Sequence, residues 1–171
     1  MGAEWVTRLR RMSWWVTPPV LTLALVLLGL IPIGLPYVDP VTPAFAVIAV
    51  YYWSIYRPEH LPAGVVFVLG LVQDALGGTP LGMSSLVLLA VFGLGVSQRR
   101  VFIGKSVLVE WGGFLLVGSF AIAASWVLAN LFYETIIDPR PAITQAVITI
   151  AAYPCVAWLF VRAQRGLVKP A

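Results

Sequence analysis

The sequence predicts an all-α membrane protein, a six-transmembrane-helix bundle with N- and C-termini cytoplasmic. Three observations predict it. Of 171 residues, 60% are hydrophobic and 11% charged, where an average soluble domain is about 45–50% apolar and about 25% charged. A chain this apolar cannot cover its own surface with polar groups, so lipid must cover part of it. Apolar runs approaching the ~20 residues that cross a bilayer recur six times, separated by charge or Pro/Gly clusters. Lys and Arg then fall almost wholly on one side of that arrangement, as cytoplasmic loops require.

The first run, at about 16–36, follows Arg8, Arg10 and Arg11. Basic residues before an apolar core resemble a secretory signal, and Ala44-Phe45-Ala46 offers a small-x-small cleavage site. That site lies past Pro32, Pro36, Asp39, Pro40 and Pro43, whereas cleavage follows the apolar core closely, so the run reads as a retained span. The second, at about 42–56, is short for a crossing and decides the topology. With six crossings, Arg8, Arg10, Arg11, Arg57, Arg99, Arg100, Lys105, Arg162, Arg165 and Lys169 are cytoplasmic and only Arg140 is outside. Without the second crossing, seven of the eleven basic residues would lie outside. Six crossings fit the charge rule.

The third and fourth runs, about 61–77 and 82–98, flank the short turn Gly77-Gly78-Thr79-Pro80-Leu81-Gly82 and predict a helical hairpin. The fifth, about 106–129, repeats Ala121, Ser125 and Ala129 every fourth residue, with Ser119 and Ala123 in a parallel row. Small residues at that spacing let helices approach closely in lipid; the rows are a candidate helix–helix interface, expected to be internal. The sixth, about 142–162, carries Pro154, which lacks a backbone donor and predicts a kink. Trp14, Trp15, Trp53 and Tyr56 fall near the inner surface, and Tyr37 and Tyr133 near the outer, at the depth amphipathic rings prefer. Residues 1–171 form one integral membrane domain.

Basic residues outnumber acidic ones 11 to 7, which the positive-inside bias accounts for. No basic patch is interleaved with aromatics as single-strand binders need, so no nucleic-acid partner is expected. Cys155 is the lone cysteine; it excludes an intrachain disulfide and reads as an inert, buried packing residue. His60 is the lone histidine and lies at the membrane edge. Ser84 and Ser85 lack a nucleophile elbow and a base. Gly104-Lys105-Ser106 lacks the upstream glycine of a phosphate-cradling loop. The sequence therefore predicts no enzyme, and no catalytic, cofactor-binding or metal residues.

Two carboxylates lie inside the spans, Asp74 and Glu110. An Asp at mid-membrane costs about 2.5–3.5 kcal/mol to insert, and intramembrane carboxylates are functional candidates by default. At ~1.5 Å rise per residue, Asp74 lies some ~18 Å along the third helix, toward its outer end. Glu110 lies about one turn inside the opposite surface, within reach of headgroup water or Lys105, and reads as structural. Beyond Asp74, the glycines permit a tight turn, and the next helix opens with N–H groups that lack helical partners. A carboxylate folded back over the turn would accept from those donors and gain from the helix dipole. Gly70, Gln73, Asp74, Gly77, Gly78, Pro80 and Gly82 form this candidate structural or ligand turn.

Trp53-Ser54-Ile55-Tyr56-Arg57-Pro58, Leu69-Gly70-Leu71-Val72-Gln73-Asp74, Gly78-Thr79-Pro80-Leu81-Gly82 and Gln98-Arg99-Arg100 together resemble the MreD family of bacterial rod shape-determining membrane proteins. The resembling core runs from about 50 to 102, near a third of the chain; the flanking spans match only in character. The resemblance implies a non-catalytic scaffold subunit of the cell-wall elongation machinery in the inner membrane. Its implied partner is MreC, which has one span and a periplasmic coiled coil. The wider assembly includes MreB, RodA and a class B penicillin-binding protein. Members are also similar in helix arrangement to the substrate-binding subunits of energy-coupling-factor transporters, which supplies the alternative of a small-molecule-binding subunit.

Overall fold

A computed structural model describes residues 18–29, 41–102 and 106–167. Among them all regular structure is helical: α1 (Pro18–Gly29), α2 (Phe45–Tyr56), a 3₁₀ turn (Pro58–His60), α3 (Ala63–Gly77), α4 (Met83–Phe102), α5 (Val107–Tyr133) and α6 (Arg140–Leu167). Three helical stretches, Met83–Phe102, Leu108–Tyr133 and Arg140–Arg162, are long and apolar enough to cross a membrane; α1, α2 and α3 are shorter apolar helices. Trp14, Trp15, Tyr37 and Lys105 lie outside the described residues. The helices α4, α5 and α6 continue beyond the ends of their apolar runs, to Phe102, Tyr133 and Leu167. A helix satisfies its own backbone, so it need not stop where the hydrocarbon does.

The second apolar run forms a helix enclosed by its neighbours. Every residue of α2 from Ala46 to Ile55 is buried, and α4, α5 and α6 all pack against it. A helix that is apolar all round belongs inside a structure rather than on its surface. Trp53 therefore does not belong to an interfacial belt: it is 2% exposed and packs on Tyr52 and Phe160. Tyr56, in the last turn of α2, does reach the surface.

Cross-helix contacts fix the directions. Asp74 near the end of α3 meets Ser84 near the start of α4. Tyr56 at the end of α2 meets Glu110 at the start of α5, and Tyr51 meets Phe114. Trp111 meets Ile150, and Trp126 meets Ile137 just before α6. α3 and α4 thus run antiparallel, as do α2 and α5, and α5 and α6. The turn after α5 opens with Glu134 at φ 49°. Asn130 Oδ1 closes it by accepting from the Ile137 N–H at 2.6 Å.

Glycines make the closest approaches. A Cβ on Gly70 would collide with Ser85 of α4, lying 2.6 Å from its backbone nitrogen. One on Gly95 would overlap the Ser54 hydroxyl of α2 and lie 2.9 Å from Ser54 Cβ. The serine–alanine rows of α5 divide. Ala121 is buried, Ser125 and Ala129 are half-buried, and Ser119 and Ala123 are exposed. Ser125 Oγ donates to the Ala121 carbonyl of its own helix at 3.0 Å.

Pro154 lies inside a continuous helical assignment for α6. Its missing N–H would have served the Ile150 carbonyl, four residues back. The indole N–H of Trp111, on α5, donates to that carbonyl at 3.0 Å. A defect in one helix is thereby repaired by its neighbour, which also locks the pair together. Cys155, beside the proline, is exposed rather than buried: α6 turns its Tyr153, Val156 and Ala157 inward and leaves the cysteine on the outer face.

Candidate functional site: two buried carboxylates

Asp74 sits in the last full turn of α3 and is completely buried. Gly78 caps the helix at φ 69°, a left-handed conformation suited to glycine, and Gly82 at φ 96° completes the reversal. The fold-back brings the start of α4 over the carboxylate. Oδ1 accepts from the Thr79 hydroxyl at 2.8 Å and from the Ser84 N–H at 3.0 Å. Oδ2 accepts from the Gly82 N–H at 2.8 Å and shares the Ser84 N–H at 3.2 Å. The backbone carbonyl of Asp74 accepts from the N–H groups of Gly78 and Thr79. One residue thus closes α3 through its carbonyl and opens α4 through its side chain. Donors that α4 cannot satisfy itself find an anion at the positive end of its dipole.

The other residues expected at this turn divide between roles. Gly77 and Gly78 are exposed, and Pro80 and Gly82 are half-buried in the turn itself. Gly70 lies below it, where α3 touches Ser85. Gln73 is outside the Asp74 network; its Oε1 is buried without a partner. With Gln145 and Thr42 it lines a cavity of about 70 Å³, and Gln145 Nε2 donates to the Thr42 carbonyl at 3.0 Å.

Glu110 occupies the first turn of α5 and is 5% exposed, not open to headgroup water. Oε2 accepts from the Tyr56 hydroxyl of α2 at 2.8 Å, and Oε1 from the Tyr153 hydroxyl of α6 at 2.5 Å. Aromatic rings wall this carboxylate. Phe114 and Tyr153 stack at 4.3 Å between centroids, Tyr51 meets Phe114 at 5.3 Å and Tyr153 at 6.0 Å, and Tyr52 meets Tyr56 at 4.7 Å. The Tyr51 hydroxyl is buried with no hydrogen-bond partner. A Cβ on Gly113 would lie 2.7 Å from that hydroxyl and collide with the Phe102 ring, so glycine makes room for both. Reading Glu110 along its own helix could not find this cluster. The signal was available in the short second run, which is dense in tyrosine: Tyr51-Tyr52-Trp53, then Tyr56 one turn on.

The carboxylates share no site. Asp74 joins α3 to α4 at the hairpin turn, and Glu110 joins α2, α5 and α6 where α2 ends. Among the described residues no three His, Cys, Asp or Glu side chains converge. What both arrangements do chemically is hold helices together.

No curated protein matches the chain, and no solved structure does. A protein-family profile described as rod shape-determining protein MreD matches residues 9–163. That match takes in every helix from α1 to α5 and most of α6, together with both buried carboxylates, and the chain belongs to the MreD family of rod shape-determining membrane proteins.

Proposed function

We propose that this protein is a non-catalytic scaffold subunit of the bacterial cell-wall elongation complex, embedded in the inner membrane by six crossings with both termini cytoplasmic. It binds an MreC-like single-span partner and so helps position peptidoglycan synthesis enzymes. Membership of a shape-determining family over residues 9–163 is the observation that carries this reading. Side-chain chemistry supports it. The buried carboxylates are engaged in joining helices, which is the use a contact protein makes of polar groups.

The alternative, a small-molecule-binding transport subunit, needs convergent polar groups with unspent hydrogen bonds. A cleft of about 330 Å³ at the α5–α6 turn is lined by Thr42, Ser125, Trp126, Asp138 and Gln145, among others. Its polar groups are largely occupied: Ser125 on the Ala121 carbonyl, Trp126 on the Ile137 carbonyl and Gln145 on the Thr42 carbonyl. That favours the scaffold.

Affinity purification from membranes in mild detergent tests the proposal. Wall-synthesis proteins should co-purify, and depletion in a rod-shaped host should give rounded cells. Co-purification of an ATPase pair, with normal shape and impaired solute uptake after depletion, would reject the scaffold in favour of transport.

A further inference from the structure

We propose that the Glu110 carboxylate, with the hydroxyl oxygens of Tyr51, Tyr56 and Tyr153, forms a binding site for a monovalent alkali cation. The first argument is charge. Glu110 is 5% exposed, and among the described residues its carboxylate makes hydrogen bonds to two tyrosines and no ion pair. Neutral donors and the α5 dipole spread a buried negative charge, but they do not cancel it.

The second argument is the Tyr51 hydroxyl. It is fully buried and unpartnered, and its ring touches Tyr153, which holds one carboxylate oxygen. It reaches α5 at Gly113, one turn on from Glu110. Buried hydroxyls are rarely left without a partner, and a phenylalanine would fill the same space without the cost. A cation beside Glu110 would take a lone pair of this oxygen. Tyr56 and Tyr153 spend their protons on the carboxylate and keep lone pairs of their own.

The chemistry selects the ion's class. One carboxylate balances one positive charge. Calcium sites commonly carry several carboxylates, and no acidic cluster is present among the described residues. Entry into an enclosed aromatic site strips most hydration, which a divalent ion resists far more than a monovalent one. The ring faces of Tyr51, Phe114 and Tyr153 add the attraction of aromatic quadrupoles for cations.

Thermal unfolding of the full-length protein in detergent provides the test, in lithium, sodium, potassium, rubidium or choline chloride at constant ionic strength and neutral pH. One alkali cation should raise the apparent Tm saturably over choline, by about 3–6 °C at ten times its Kd. Tyr51→Phe should be at least as stable as the parent in choline and should lose the ion response. Glu110→Gln should lose it too, and if that variant fails to fold, Tyr51→Phe decides alone. Equal stability in all five salts would overturn the site, as would an ion response that survives Tyr51→Phe. A gain in stability on acidification with no preference among cations would also overturn it, because the counter-charge would then be a proton.

Discussion

Replacing Trp111 by phenylalanine should destabilise the bundle chiefly because Pro154 is where it is. The Ile150 carbonyl has lost its helical donor to the proline and takes the Trp111 indole N–H at 3.0 Å instead. In the Phe variant the ring remains but that carbonyl has no protein donor. Hydrogen bonds between membrane helices are worth about 0.6 kcal/mol on average and about 1.7 at most. The Trp111→Phe loss should therefore be about 1–2 kcal/mol, including some lost packing. Pro154→Ala restores the backbone N–H, so in that background the hydrogen-bond share of the loss should vanish. Equilibrium unfolding of the four proteins in mixed detergent micelles measures the cycle. A coupling of about 0.6–1.7 kcal/mol is expected. If Trp111→Phe costs the same in both backgrounds to within about 0.3 kcal/mol, the two sites are independent and the repair of the proline defect is refuted.

Three further outcomes are expected. Asp74→Asn keeps an oxygen for the Thr79 hydroxyl and the Ser84 N–H but deprives the Gly82 N–H, a loss of about 1 kcal/mol. Asp74→Leu deprives all three and should cost at least twice as much in the same assay; equal losses would mean that the charge, not the acceptors, matters. Gly95→Ala places a methyl on the Ser54 hydroxyl, whereas Gly93 faces open space, so the first should cost about 1–3 kcal/mol and Gly93→Ala nothing measurable. Reporter fusions after Lys169 and near His60 should read cytoplasmic and one between Tyr133 and Arg140 periplasmic; a periplasmic C-terminus would remove the six-crossing topology.

Asp74 was legible because every group it needs is close in the chain: Gly78 and Gly82 reverse the backbone, and the acceptor demand at the start of α4 follows from helix geometry alone. Glu110 was not, since its partners Tyr56 and Tyr153 come from helices that only the fold brings together. The same limit explains the packing seams. Sequence spacing singled out Ser119, Ala121, Ala123, Ser125 and Ala129, but spacing says which residues share a helix face and not what that face meets. The closest approaches instead fall on single glycines, Gly70, Gly95 and Gly113, which carry no periodic signal. Cys155 and Trp53 exchanged their expected surroundings for a related reason. Hydrophobicity in a membrane chain does not separate inside from outside, because lipid and core are equally apolar.

That equivalence also explains where the polar groups sit. With water absent from both the core and the surrounding lipid, burial of apolar side chains cannot by itself choose one helix arrangement over another. Polar atoms can choose, because each unsatisfied one is costly in hydrocarbon. In this bundle they are spent at the places where a rearrangement would begin: Asp74 at the hairpin, Glu110 across α2, α5 and α6, and Trp111 at the proline of α6. The short core helix α2 is held at both ends by this means, by Thr149, which accepts from the Ala44 N–H at 2.9 Å, and by Glu110 at Tyr56. A frame pinned in this way keeps its outer faces in fixed relation while leaving them largely apolar. For a protein that acts by contact within the membrane, that is the property a partner helix needs: a surface whose shape is settled before it arrives. Ser119 and Ala123 lie on that outer surface, whereas Ala121 is enclosed. Leucine at Ser119 or Ala123 should therefore leave the fold intact, and loss of partner co-purification from either variant would place the contact on α5.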